Sequence, residues 1–179
     1  MNDPVDRLKP QDHGTFRRVM GAFPTGVVAV TATTSQDGPI GMVVGSFASI
    51  SLDPPLVAFS PSKISTTWPK IKSAPGFAVN VLSADQEPVC RAIASKSPGI
   101  LHGLAHRYAE RVGAPLLENA LAWIECDIET IHDAGDHWIV LGRVAEFDLR
   151  PSGNPLIFFQ GGYGRFSTGL DQKASAELE

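Results

Sequence analysis

The sequence predicts a mainly β protein with a few short helices, built as a six- to seven-stranded antiparallel barrel. Runs rich in β-branched and aromatic residues recur along the chain, among them Val27-Val28-Ala29-Val30-Thr31-Ala32-Thr33 and Phe77-Ala78-Val79-Asn80-Val81-Leu82. Turn signals separate successive runs, with no regular helical crossovers, which favours a closed antiparallel sheet over a doubly wound parallel one. The length of 179 residues suits one compact domain on the usual scale of ~100–200 residues. We place that domain at residues 16–166, with an N-terminal extension at 1–15 and a polar, flexible tail at 167–179.

Phe16, Val19 and Met20 have the i, i+3, i+4 spacing of a short amphipathic helix, which Gly21 and Pro24 stop. The run after Gly26 and the run Ile40 to Ile50 flank the turn signal Gln36-Asp37-Gly38-Pro39, so the two read as a hairpin. Asp53-Pro54-Pro55 marks a connection or an edge, because proline cannot donate to a sheet ladder. Leu56 to Phe59 is a short strand. Ser65 to Ile71 is a loop entering a short helix whose free N–H groups the nearby hydroxyls can cap. Phe77 to Leu82 is the next strand. Between Ala84 and Leu104, Pro98-Gly99 divides the helical spacing into two short helices. Leu121 to Ile131, Trp138 to Leu149 and Leu156 to Phe159 complete the strands, the first two joined by a turn within Ile128 to His137.

Composition narrows the function. Hydrophobic residues make up 43% and charged ones 19%, with 15 Lys+Arg against 19 Asp+Glu for a net charge of −4. A mildly acidic chain without a Lys/Arg run lacks the footprint that a phosphate backbone requires, so no nucleic acid is expected. No apolar stretch approaches the ~20 residues that span a bilayer, and Met1-Asn2-Asp3-Pro4 does not start a signal sequence. The expectation is a cytoplasmic protein without a membrane partner. Cys90 and Cys126 have no paired spacing, so both are expected to be buried thiols.

Several motifs fail on context. Gly161-Gly162-Tyr163-Gly164 lies near the C-terminus and opens no long helix, unlike a dinucleotide fingerprint. Gly45-Ser46-Phe47-Ala48-Ser49 lacks the spacing of a nucleophile elbow. His102 and His106 would share a helical face, but Gly103 stands where a metalloprotease has its glutamate and spacing marks no third ligand, so no metal is expected. Cys126, between Glu125 and Asp127, reads as an inward core thiol.

Two hydroxyl-rich segments are more informative, Gly45 to Ser51 and Ser62-Lys63-Ile64-Ser65-Thr66-Thr67. Hydroxyls and backbone N–H groups at a helix start can satisfy a phosphate, with Lys63 supplying charge, although plain turn and cap chemistry uses the same residues. Gly135-Asp136-His137 places an imidazole at a strand start, facing either a ligand or solvent.

Taken in order, the segments resemble the flavin reductase-like family. These are small FMN-binding split-barrel proteins that include the reductase components of two-component flavin monooxygenases. The carriers are Phe23-Pro24-Thr25-Gly26-Val27, Gly45 to Val57, Ser65-Thr66-Thr67-Trp68, Phe77 to Leu82, Gly113-Ala114-Pro115-Leu116-Leu117, Gly135-Asp136-His137 and Gly161-Gly162-Tyr163. Together they span nearly the whole chain.

The resemblance implies an NAD(P)H:flavin oxidoreductase, with FMN or FAD as flavin and NADH or NADPH as hydride donor. It implies a homodimer that passes reduced flavin transiently to a monooxygenase. Val44, Gly45, Ser46, Phe47, Ala48 and Ser49 would line the ring and ribityl chain. Lys63, Ser65, Thr66 and Thr67 would receive the phosphate, and His137 and Tyr163 would lie near the nicotinamide. Two departures stand out. The family commonly carries Thr-x-Asn-Ser where this chain has Val43-Val44-Gly45-Ser46, so ring contacts lean on backbone. It often carries Asp-Lys-Phe where this chain has Gly99-Ile100-Leu101. The alternative reading is a flavin-binding module or electron carrier that does not oxidise nicotinamide efficiently.

Overall fold

A computed structural model describes residues 12–150 and 152–166. The expected tail at 167–179 and most of the expected N-terminal extension lie outside the described residues. In chain order the elements are α1 (His13–Gly21), β1 (Thr25–Gly26), β2 (Val28–Thr34), β3 (Gly38–Val44), β4 (Ala48–Leu52), β5 (Pro55–Phe59), α2 (Trp68–Lys72), β6 (Phe77–Val81), α3 (Glu87–Ala94), β7 (His106–Tyr108), β8 (Pro115–Leu117), β9 (Ala122–Ala134), β10 (His137–Leu149), β11 (Leu156–Phe159) and β12 (Gly162–Arg165). Short 3-10 turns occupy Ala84–Gln86 and Ile100–Gly103.

The main sheet has seven antiparallel strands in the order β3-β2-β6-β9-β10-β5-β4. Its end strands, β3 and β4, are joined only by Gly45-Ser46-Phe47. Four Cα steps of 3.8 Å span at most ~15 Å, whereas six strand spacings of ~4.8 Å would separate the ends of a flat sheet by ~29 Å. The sheet therefore curls back on itself, and the three-residue link bridges the split where β3 and β4 meet. Sequence alone reads Ile40 to Ile50 as one strand. The structure breaks it at Gly45, because the chain there changes from one sheet edge to the other.

Alternate residues of the curled sheet fill its interior, since side chains on a strand point to opposite faces in turn. Val28, Val30 and Ala32 from β2, Val57 and Phe59 from β5, and Phe77 and Val79 from β6 meet Cys126 and Val140 there. Trp68 and Ile71 of α2 join this cluster, and Phe59 packs edge-on against Trp68 and Phe77 at 5.6 and 5.4 Å between ring centres. A second apolar layer on the outside joins Val27, Ala29 and Leu82 to Cys90 and Ile93 of α3 and to Leu101. A third packs Ala78 of β6 against Ala109, Val112 and Leu116 around the β7–β8 hairpin. Asn80 pins that hairpin: its fully buried amide donates to Ala29 O at 3.1 Å and accepts from Leu117 N at 2.7 Å.

The strands β9 and β10 run thirteen residues each, longer than the sequence reading, because Gly135 takes φ +68° and turns the chain in two residues. A bulge at Leu141/Gly142 presses backbone against the core, where a Cβ on Gly142 would come within 2.6 Å of the Phe77 ring. The strands β1, β7, β8 and β12 were absent from the sequence reading, being only two to four residues long. The helix α1 forms with Asp12 as its N-cap, accepting from Gly14 N at 3.1 Å and Thr15 N at 3.2 Å; the Thr15 hydroxyl, donating to Oδ2 at 2.5 Å, does most to hold the Asp12 carboxyl below its usual range, helped by these backbone bonds. Residues 13–15, placed by sequence in the extension, belong to this helix. Its apolar side stays open, with Phe16, Val19 and Met20 all exposed.

Candidate functional site

A cavity of about 570 Å³ opens at the split. One wall is the edge of β3 and its link to β4, from Gly41 through Ser46. The opposite wall is the loop after β5, with Ser60, Ser62, Ser65 and Thr67, and Ile93 and Lys96 close the α3 side. An end strand presents backbone N–H and C=O groups that no neighbouring strand takes up. The cavity thus offers a row of main-chain donors and acceptors beside Met42, Val43 and Val44. That donor set fits a flat heteroaromatic ring with a polar edge, and the hydroxyl wall fits a polyol chain and a phosphate.

The loop wall is fixed from within. Ser46 Oγ accepts from Ser60 N at 2.9 Å, tying the two walls together. Ser65 Oγ accepts from Trp68 N at 3.1 Å and Thr67 N at 3.3 Å, so Ser65 supplies the cap expected at the start of α2. On the far side His137 pairs with Ser62 in an isolated bridge, and Trp138 N donates to Pro61 O at 2.9 Å. Its ring Nδ1 lies 2.7 Å from Asp136 Oδ1, and the hydrogen bond from His137 lowers the Asp136 pKa. The imidazole is thereby held at the cavity, with Nε2 left for another partner.

Of the residues singled out by sequence, Val44, Gly45, Ser46, Ser65, Thr67 and His137 line this cavity. Phe47 turns inward and packs on the interior core. Ala48 and Ser49 are exposed on β4, paired with Ala58 and Val57. Thr66 borders an adjoining cavity. Lys63 is not among the lining residues: its ammonium is 2.6 Å from Asp133 Oδ2 and 4.9 Å from the centre of the Trp138 ring. Nor does Tyr163 reach the cavity. It packs in the outer layer, accepts from Cys90 Sγ at 3.2 Å and lies under the Arg91 guanidinium at 4.8 Å. The Cys90 contact and burial push its hydroxyl up to about 12.

Sequence reasoning missed ten lining residues, among them Met42, Val43, Ser60 and Ile93, and the one lysine or arginine of the lining, Lys96. Its signal was the polar stretch Ser95-Lys96-Ser97 before Pro98-Gly99, a cation between hydroxyls much like Ser62-Lys63-Ile64-Ser65. Both cysteines are buried, as expected, and burial pushes the Cys126 thiol up to about 12, which makes it an unreactive core group. His102 and His106 sit on different elements, a 3-10 turn and β7, so the shared helical face does not exist.

The arrangement matches a known family. Residues 20–167 match the model of the flavin reductase like domain, and the chain belongs to that family. It is 47% identical over 153 residues to the FMN reductase (NADH) SmoA of Agrobacterium fabrum, covering 86% of each chain. It is 41% identical over 154 residues to the reductase subunit HsaB of a flavin-dependent monooxygenase of Mycobacterium tuberculosis, covering 85% of this chain and 81% of that one. Among solved structures, the NADH:FAD oxidoreductase SgcE6 of Streptomyces globisporus, in complex with NAD and FAD fragments, superposes with a TM-score of 0.86 at 37% identity, over 92% of this chain and 99% of that one.

Proposed function

We propose that this chain is an NAD(P)H-dependent flavin reductase that supplies reduced flavin to a partner monooxygenase. The observation that carries the reading is the cavity at the split, where a free strand edge, a hydroxyl wall and His137 converge. Relatives named as NADH-dependent reductases of FMN and of FAD support both the flavin and the hydride donor, and the reductase subunit of a monooxygenase supports the delivery step. A flavin held in this cavity would supply the redox chemistry, as the hydride acceptor for a nicotinamide.

The protein's part is positioning, since holding donor and acceptor at ~3–3.5 Å turns a collision into an intramolecular step. The backbone from Val44 to Ser46 holds the ring by its polar edge. Ser65 and Thr67 hold the phosphate end. His137, fixed by Asp136, orients the nicotinamide carboxamide at the cavity mouth. No side chain needs to carry a proton for hydride transfer itself. Steady-state NADH oxidation with saturating flavin tests these roles. The His137→Ala variant is expected to raise the nicotinamide KM several-fold more than it weakens flavin binding; unchanged kinetics would remove His137 from the mechanism.

The reading includes a homodimer in the cytoplasm. Support for the dimer comes from large apolar side chains that the single chain leaves uncovered: Leu52 is 91% exposed on β4, and Phe147 and Leu149 are 78% and 72% exposed at the end of β10. Light scattering should give twice the chain mass of 19.1 kDa. No helix among the described residues is long and apolar enough to cross a membrane.

A further inference from the structure

The link Gly45-Ser46-Phe47 carries the chain from one sheet edge to the other, and its first two residues line the cavity. Each of its three residues meets a different part of the molecule. Phe47 packs on the interior core, and Ser46 is tied to Ser60 N at 2.9 Å. Gly45 has no side chain to anchor, and the pairing of β2 with β3 ends one residue before it, at Val28↔Val44. What stands against Gly45 is Thr25 of β1. A Cβ built on Gly45 would lie 2.7 Å from Thr25 Oγ1 and 3.5 Å from Thr25 Cβ.

The first distance is too short for a carbon and an oxygen, and the second is ordinary contact. The Thr25 hydroxyl therefore occupies the space that a side chain at position 45 would need. Its place is set from outside the cavity. Thr25 pairs with Phe158 of β11, Val27 N donates to Leu156 O at 3.1 Å, and a β-branched side chain turns stiffly about its first bond. Thr25 itself is not among the residues that line the cavity.

Resting on the flavin reading above, we propose that Thr25 is a positioning residue for the flavin ring: its side chain, set against Gly45 from β1, fixes where the main chain of Gly45 and Ser46 meets the ring, without touching the flavin. Thr25 and Gly45 then form a size-matched pair. Bulk added at position 45 displaces the wall unless the same bulk is removed at position 25, and bulk removed at position 25 alone leaves the wall loose.

The test is equilibrium titration of the purified protein with riboflavin and FMN, read by flavin fluorescence quenching without nicotinamide, together with the visible absorption bands of the bound flavin. Gly45→Ala should weaken riboflavin about tenfold, as an added methyl group does in a packed site. Adding Thr25→Ala to that variant should return most of the lost affinity, because the two Cβ atoms then meet at an ordinary 3.5 Å. Thr25→Ala alone should weaken riboflavin several-fold and move the bound flavin's bands toward those of free flavin, since hydrogen bonds to the ring tune its electronics. Thr25→Ser, which keeps Oγ, should restore both. A merely structural Thr25 would lower the melting temperature and leave the bands in place.

A Gly45→Ala variant that binds riboflavin undiminished overturns the proposal, as does one whose loss Thr25→Ala does not relieve. A Thr25→Ala variant with the parent's affinity and band positions overturns it too. Should Gly45→Ala not fold, Thr25→Ala and Thr25→Ser decide the matter alone. Failure of the unaltered protein to bind either riboflavin or FMN would instead overturn the flavin reading itself.

Discussion

The middle of the seven-stranded sheet and its two ends are built from different material. In the middle, β6, β9 and β10 pair along their length, and β6 is covered on both faces, by Phe77 and Val79 inside and by Ala78 against the β7–β8 layer outside. At the ends, β3 and β4 each keep a free edge and are joined by Gly45-Ser46-Phe47, and serine and threonine take over from valine and phenylalanine on the facing loop. The chain closes its barrel completely enough to bury a core and leaves one seam unzipped. That seam is where main-chain polar groups remain free to bind something other than the protein.

The division of labour can be broken from the stable side first. Phe59 is fully buried and touches two other aromatic rings, so Phe59→Ala should cost about 3–5 kcal/mol in denaturant unfolding, with flavin binding lost only as the fold is lost. A cost below about 1 kcal/mol would mean that the barrel interior is not what holds the molecule together.

A subtler test uses Glu125, a polar exception on the outer face of β9. The residue is 6% exposed, its Oε2 lacks a hydrogen-bond partner, and Glu146 lies directly across on β10. Burial, with the neighbouring Glu146 charge, raises its pKa, although the backbone N–H groups of Arg111 and Val112 pull it down. Above the ordinary carboxylate pKa the unfolded chain has released this proton while the folded chain retains it. The contribution to stability is therefore full at acid pH and is lost as pH rises through the folded value. Glu125→Gln should raise the melting temperature at pH 7 and flatten its decline between acid and neutral pH. A variant less stable than the parent at pH 7 would show that the charge is well accommodated.

The smallest effect belongs to Lys63. Its ion pair with Asp133 is exposed, so Lys63→Ala should change stability by no more than about 1 kcal/mol. Flavin affinity should not change at all, because the ammonium is directed to Asp133 and not to the cavity. A several-fold loss of FMN or FAD affinity would restore Lys63 to the phosphate site.

The same contrast explains what was legible in the sequence. The middle strands announce themselves through runs such as Phe77 to Leu82, since burial on both faces demands apolar residues in succession. The break at Gly45 is invisible locally, because it depends on how far six neighbouring strands carry the chain around. The strands β1, β7, β8 and β12 are too short to show alternation and exist only because a longer partner, or each other, is nearby. Within the site, Ser65, Thr67 and His137 could be picked out by residue type next to turns. That Lys96 lines the cavity and Lys63 does not could not be read that way, since Lys63 is drawn to Asp133, seventy residues away at the penultimate position of β9. The place of Tyr163 was illegible for a similar reason: its aromatic ring belongs to the layer under α3, where Cys90 and Arg91 hold it.

The central claim is that the unzipped seam reduces flavin. Anaerobic stopped-flow absorbance of the purified protein, mixed with NADH and either FAD or FMN, follows the loss of the oxidised-flavin band directly. The account predicts bleaching far faster than in the protein-free mixture, retained in Lys63→Ala and slowed in His137→Ala at limiting NADH. No acceleration over the protein-free mixture with either flavin, whether NADH or NADPH is the donor, would contradict it.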